Sequence, residues 1–503
     1  MRLDGLIAGE LAGDAASVEI GALAYDSRQV TPGALFFCVP GFNSDGHEFA
    51  PRAVRAGAAA LVVERPLHLG VPEVVVASAR AAMAPVAARF YGEPARELRV
   101  VGVTGTNGKT TSAYLVRALL EAGGEQCGLL GTVKSVIGGR EWQVQRTTPE
   151  AIDLQADLRA MLDGGDRACA MEVSSHALEL GRVAAIPFAA AVFTNLTQDH
   201  LDFHESMEDY FEAKRALFMP TDGSQPPAVS VVNVGDAYGR RLGAEIAGVA
   251  GVSAVRTFAV DAPADYSARE LRCGLDRCAF TLLTPGGPRE LVLPMPGRFN
   301  VANAVGALAT VHALGGELDV LVDALERGVR VPGRFEPVDE GQDFAVVVDY
   351  AHTPDSLENV LCAARELVDA AGSGRVVCVF GAGGDRDRGK RPLMGEIAAR
   401  LADTVFVTSD NPRSEDPEQI IREIMDGVER AAGVNSLTDR GAAIEEAISG
   451  ARTGDVVVIA GKGHEQGQEF AHGRKIPFDD VTVASAALRV RAANTNAAGA
   501  SAR

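Results

Sequence analysis

A chain of 503 residues has room for about three domains at roughly 150 residues each. Its 47% hydrophobic and 23% charged residues are globular averages, which excludes a disordered, collagen-like or fibrous chain. Acidic residues outnumber basic ones 67 to 48, for a formal charge of -19; sequence-independent binding to nucleic acid or anionic membranes is therefore disfavoured, and an anionic ligand must be captured locally.

The first twenty residues carry Asp4, Glu10, Asp14 and Glu19 and lack the basic cap and apolar run of an export signal. No apolar stretch reaches the roughly 20 residues of a bilayer span. Seven scattered cysteines fit reduced thiols better than a disulfide framework, and Cys273-x4-Cys278 lacks the company of a zinc site. A cytoplasmic protein is expected.

Strand-like runs at 33–40, 59–64 and 73–77 mixed with Ala-rich helices predict a small α/β domain over 1–97. A buried strand at 98–104 then meets a glycine turn and a helical pattern over 109–122, the βα unit that opens many nucleotide-binding domains. Further strands at 168–173, 188–194 and 228–233 predict a mostly parallel sheet covered on both faces, in a central domain over 98–333. Between 257 and 296 short strands with Pro-Gly turns predict an antiparallel appendage, followed by a helix over 300–314. Past a linker at 331–334, strands at 344–349, 375–380, 404–408 and 455–460 predict a doubly wound, Rossmann-like third domain over 334–491. Residues 492–503 read as a frayed tail.

Polar clusters at 105–111, 172–176, 195–200, 349–354, 381–391, 409–413 and 461–465 fall at the C-terminal ends of predicted strands, the edge where open α/β sheets bind ligands. Gly102-Val-Thr-Gly-Thr-Asn-Gly-Lys-Thr-Thr111 reads as a phosphate-binding loop. Its backbone N–H groups can wrap a phosphate at a helix N-terminus, Lys109 can reach terminal oxygens, and the Thr110 hydroxyl can ligate Mg²⁺. Val103 departs from the strict pattern, and a plain turn and helix cap is the alternative. Glu172 ends a buried strand, where its carboxylate needs a cation or an Arg beside it. His200 alone reads as a loop histidine, and Lys214 alone as a solvated helix residue.

Together Thr104-Gly-Thr-Asn-Gly-Lys-Thr110, Glu172-Val-Ser-Ser-His176, Thr194-Asn-Leu-Thr-Gln-Asp-His-Leu-Asp202, Gly297-Arg-Phe-Asn-Val-Ala-Asn303 and Gly461-Lys-Gly-His-Glu465 resemble the Mur ligases, and within them the UDP-N-acetylmuramoyl-tripeptide synthetases, over essentially the whole chain. The resemblance implies domains for UDP-sugar peptide, ATP and amino acid, and ATP-driven addition of meso-diaminopimelate to UDP-MurNAc-L-Ala-D-Glu through an acyl phosphate. It implies ATP contacts from Thr104, Gly105, Thr106, Asn107, Gly108, Lys109, Thr110, Asn300, Asn303, Arg334 and Asp349. Thr110 and Glu172 would serve one Mg²⁺, and His200 and a carbamylated Lys214 a second. The sugar peptide would meet Ser27, the 41–44 loop, Thr147, Thr148, Ser174 and Arg182. The amino acid would meet Arg386, Asp410, Asn411, Pro412, Arg413, Gly461 and Glu465, with Arg413 gripping a distal carboxylate that lysine lacks. A monomer that binds neither nucleic acid nor membrane is expected. A lysine-adding relative, a folylpolyglutamate-synthase-like ligase and a P-loop ATPase without ligase activity are the alternatives.

Overall fold

Alternating side chains along short apolar strands bury both faces of three successive sheets in the computed structural model. It describes residues 1–7, 10–11, 17–41, 44–144, 146–220, 224–249, 251, 253–274, 276–428 and 433–501. The first sheet has the order Glu10–Leu11, Glu73–Val75, Ala60–Val63, Ala34–Phe37, Ala22–Ala24, parallel except at its first strand. Leu35 and Phe37 face one core while Phe36 faces another, as the period-2 geometry of a strand requires.

The central sheet is eleven-stranded. Its parallel heart runs Cys127–Leu130, Ala168–Glu172, Arg99–Thr104, Ala190–Phe193, Val229–Asn233. Val101 and Val103 pack under the helices Lys109–Ala122 and Arg298–Ala313, and Val100 packs on the opposite face. The antiparallel appendage expected over 257–296 is corrected. Ala254–Val260 and Tyr266–Cys273 extend the same sheet in parallel, and only Cys278–Thr284 and Gly287–Leu293 run antiparallel at its edge. The half-exposed alternation of these strands hid their continuity with the buried ones. Cys273 and Cys278, opposite each other in that edge ladder, form a disulfide, so the expected reduced thiols are also corrected there; Cys38, Cys127, Cys169, Cys362 and Cys378 are free.

The third sheet has the order Glu336–Pro337, Ala345–Asp349, Val456–Ala460, Val376–Phe380, Thr404–Val407, Val434–Ser436, parallel but for its first strand. Val376, Cys378 and Phe380 face one core, Val377 and Val379 the other, so helices cover both sides as in a doubly wound fold. A two-stranded ribbon, Gly467–Phe470 with Arg474–Pro477, follows. The last helix, Asp480–Ser501, runs into the 492–503 stretch expected to fray, of which residues 502 and 503 lie outside the described residues. Among the described residues no helix is long and apolar enough to cross a membrane.

That helix is tied down by Arg440, whose Nε and Nη2 donate to Asp480 Oδ1 and Oδ2, both at 2.7 Å, while Nη2 also donates to the Ala460 carbonyl. Both side chains are fully buried. Arg440→Ala leaves the Asp480 carboxylate buried without its counter-charge, so a loss of about 3–5 kcal/mol is expected in denaturant unfolding. A loss below about 1 kcal/mol, the range of exposed pairs, would show the pair to be dispensable.

Candidate active site

A cavity of about 580 Å³ opens where the central sheet ends and the third domain packs over it. Its floor is the phosphate loop. Strand Arg99–Thr104 is buried along most of its length, the turn follows at once, and the helix begins at Lys109 with no side chain capping its N-terminus, which leaves its first N–H groups free for an anion. Two glycines make the turn possible: Gly105 at φ +144 and Gly108 at φ +85, where a Cβ would lie 1.9 Å from Thr194 Oγ1 and 2.3 Å from Asn303 Oδ1 respectively. The loop is braced on its outer side. Thr106 N–H donates to the Asn195 carbonyl and Asn107 N–H to Asn195 Oδ1.

Lys109 Nζ donates to the carbonyls of Gly105 (3.0 Å) and Thr106 (2.8 Å). Lys214, from the helix Met207–Arg215, donates to the same Gly105 carbonyl at 2.9 Å and stacks over the Tyr210 ring. Read from sequence as a solvated residue, Lys214 is instead 1% exposed. Burial lowers the pKa of both amines, and their mutual repulsion lowers that of Lys214 further. Among the described residues neither has a carboxylate within ion-pair distance.

Glu172 ends its strand fully buried, accepting from Thr132 N–H at 2.7 Å and from Thr132 Oγ1 at 3.1 Å. The arginine that sequence reasoning allowed is absent: no side-chain cation among the described residues is within ion-pair distance. Thr132, whose neighbours carry no motif, gave no signal in the sequence. His200 sits at φ +57, its N–H donating to Asp199 Oδ1 at 2.9 Å, and burial lowers its pKa so that the ring is neutral. Thr110 Oγ1 accepts from Arg334 Nη2 at 2.9 Å. Among the described residues no three His, Cys, Asp or Glu side chains form a metal cage. One free carboxylate, one hydroxyl and a neutral imidazole around a phosphate loop do fit Mg²⁺ shared with phosphate oxygens and water, which is how that ion is bound in phosphoryl-transfer sites.

Thr147, Thr148, Ser174 and Arg182 line the adjoining wall. Thr148 Oγ1 donates to the Glu172 carbonyl and accepts from Ser174 N–H, and Arg182 pairs with Glu150 at 2.8 Å. Ser27 is buried in the first domain and does not line the cavity; Phe42 and Asn43 of the 41–44 loop lie outside the described residues. The first domain is joined to the second by Tyr25, whose hydroxyl donates to Asp153 at 2.6 Å.

Of the residues expected to meet the nucleotide, Asn303 lines the cavity, while Asn300, Thr104 and Gly105 stand behind it. Asn300 donates to the Pro296 carbonyl, and its buried Oδ1 has no hydrogen-bond partner among the described residues. Arg334 stacks on Tyr350, and Asp349, which accepts from Phe335 N–H, is pushed up to about 6 by burial. Contacts reach across the domains: Asn107 Nδ2 donates to Asp355 at 2.6 Å, and Lys390 lies 3.9 Å from Asp199.

Of the amino-acid set, only Arg386 lines the cavity. The others form a cluster behind it. Asn411 Nδ2 donates to Glu465 Oε2 at 2.7 Å, Lys462 Nζ donates to that same oxygen at 2.9 Å, and Gly461 packs against Asp410. Glu465, which the resemblance implies meets the amino acid, is thus paired with Lys462, a buried residue of the same 461–465 motif. Following Pro412, Arg413 at φ +49 donates to the Gly384 carbonyl and lies 3.3 Å from Glu469 on the two-stranded ribbon.

Comparison with known proteins agrees with this architecture. Residues 19–97 match the Mur ligase family catalytic domain, 103–311 the Mur ligase middle domain, and 333–463 the Mur ligase glutamate ligase domain. The UDP-N-acetylmuramoyl-L-alanyl-D-glutamate--2,6-diaminopimelate ligase of Geobacillus thermodenitrificans is 46% identical over 94% of this chain and 96% of its own length, and that of Clostridioides difficile 41% over 94% and 96%. A solved structure of a ligase of that name superposes with a TM-score of 0.69 at 32% identity, covering 98% of this chain and 99% of the other. The folylpolyglutamate synthase of Mycobacterium tuberculosis, at 19% identity and a TM-score of 0.61 over 81% of this chain and 94% of its own, shares the fold. By sequence and by structure, along nearly its full length, the chain belongs to the Mur ligase family.

Proposed function

We propose that this chain joins meso-2,6-diaminopimelate to UDP-MurNAc-L-Ala-D-Glu at the expense of ATP, giving the UDP-MurNAc-tripeptide, ADP and phosphate for peptidoglycan synthesis in the cytoplasm. The observation that carries the reading is the single cavity in which Lys109, Glu172, His200 and Lys214 meet residues of the third domain, in a chain whose near-full-length relatives bear that activity in their names.

A carboxylate resists attack by an amine, so one of its oxygens must first take the γ-phosphoryl group. The free N–H groups at the start of helix Lys109–Ala122 and the Lys109 ammonium meet the charge that builds on that group. Thr110, Glu172 and His200 would hold Mg²⁺, which when bound neutralises phosphate charge. Lys214 is proposed to carry a carbamate, the form in which a lysine becomes an anionic oxygen donor. Arg182 and the Thr147–Thr148 hydroxyls suit the anionic groups of the sugar peptide. The third domain covers the cavity, which protects an acyl phosphate from water until the amine arrives. The protein is proposed to act as a monomer.

Mass analysis of the product formed with ATP, the UDP-dipeptide and an equimolar mixture of meso-diaminopimelate and L-lysine tests the reading. The diaminopimelate adduct is expected to dominate; the lysine adduct in equal or greater amount would overturn the assignment of the amino acid. Arg413→Ala is expected to lower kcat/KM for diaminopimelate by about 100-fold, the usual cost of removing one partner of a charge-assisted pair. Activity with L-lysine should change by less than about threefold, because lysine has no distal carboxylate to lose. Equal losses with both amino acids would place Arg413 outside substrate recognition.

A further inference from the structure

Lys390 opens the helix Lys390–Leu401 at the end of the glycine-rich 381–391 loop of the third domain. Its side chain is 7% exposed, and the one charge within ion-pair distance among the described residues is Asp199 of the central domain, at 3.9 Å. A buried ammonium needs an anion beside it. Lys390 meets that need only while the two domains are docked.

Asp199, equally buried, is engaged on its other side. Its Oδ1 accepts from the His200 N–H at 2.9 Å, and its Oδ2 lies 3.4 Å from His200 Nε2. His200 itself stands in the left-handed region at φ +57, a conformation that a non-glycine residue keeps only where its surroundings fix it. One carboxylate therefore holds the backbone of His200 and lies beside its ring, and the third domain places a cation next to that carboxylate.

We infer that Lys390 is a positioning residue that couples docking of the third domain to the orientation of His200, acting through the Asp199 carboxylate. The inference rests on the ligase reading above. It gives the docked arrangement a catalytic consequence: with the domain away, Asp199 loses its cationic neighbour and His200 its fixed setting, so phosphoryl transfer is held back until the amino-acid domain is in place. A residue that merely glued the domains together would affect stability and substrate affinity alike, without regard to Asp199.

A double-mutant cycle separates the two roles. Lys390→Met, which keeps the apolar stem and removes the charge, is combined with Asp199→Asn in the full-length enzyme; kcat and KM are measured together with hydrogen exchange at the 199–201 amides in the presence of a non-hydrolysable ATP analogue and the UDP-dipeptide. Lys390→Met is expected to lower kcat by about 30-fold or more, as loss of one partner of a buried pair does, with KM for ATP within about twofold and faster exchange at 199–201. In the Asp199→Asn background the same change should cost less than about twofold, because coupled residues are non-additive. Should the Met variant fail to fold, Lys390→Gln serves the same cycle. A kcat within twofold of the unmutated enzyme, or an equal loss in both backgrounds, overturns the proposal. Failure of the unmutated enzyme to form the amide would instead overturn the ligase reading.

Discussion

Lys109→Ala is expected to lower kcat for phosphate release by about 10³-fold at saturating substrates, the scale on which loss of one preorganised charge at a transition state is felt. Lys109 is held on the Gly105 and Thr106 carbonyls, inside the turn that the helix N-terminus completes. That placement puts the amine inside the loop, beside the helix N-terminus where an anion would be favoured. Burial lowers the pKa of the amine, and the Glu172 and Asp199 carboxylates oppose that shift. Bound phosphate adds negative charge and favours the ammonium further. Stopped assays that count phosphate under saturating ATP separate this effect from weaker binding. A loss of less than tenfold would mean that the backbone N–H groups carry the stabilisation alone.

Lys214→Ala is expected to cost about 100-fold in kcat, and removal of carbon dioxide from the buffers should lower the activity of the unmutated enzyme while leaving that of the variant unchanged. Lys109 and Lys214 donate to one carbonyl oxygen, buried, with no carboxylate paired to either among the described residues. Burial first, then the neighbouring Lys109, pulls the Lys214 pKa well below the ordinary lysine range. An uncharged amine is the form that attacks CO₂, making a carbamate and releasing a proton. A carbamate on Lys214 would set an anion beside the Lys109 ammonium and would supply oxygen ligands. The sign of the pH dependence follows: as pH falls through the depressed amine pKa the nitrogen would be protonated and the carbamate lost, so activity is expected to fall with it. Full activity in rigorously CO₂-free buffer would contradict this role.

The sequence made the phosphate loop legible because strand, glycine turn and helix are local: Arg99–Thr104 and Lys109–Ala122 form as their periodicities require. The three-domain α/β architecture was readable for the same reason. Contacts over long separations were not. Thr132 supports Glu172 from forty residues away, and Asp355 reaches Asn107 from 248; neither residue stands in a pattern that marks it. Lys214 taken alone reads as solvated, and only the resemblance points to the site, because helical periodicity says which face a residue occupies while the burial of that face depends on the loop packed over it. The strands over 257–296 read as an appendage because edge strands alternate exposed and buried residues whichever sheet they join. Lys390 lay in a cluster that the sequence singled out, yet its partner Asp199 lay in another, and only the packing of two domains brings them together.

The central claim is that a carboxylate becomes an acyl phosphate at the phosphate loop before an amine displaces the phosphate. It is tested most directly with UDP-MurNAc-L-Ala-D-Glu carrying ¹⁸O in both oxygens of the D-glutamyl side-chain carboxylate. One labelled oxygen attacks the γ-phosphorus and leaves with it when the amide forms, so the inorganic phosphate released is predicted to contain one ¹⁸O per turnover while the other stays in the amide. Unlabelled phosphate accompanying labelled product would show that the carboxylate was never phosphorylated and would contradict the account.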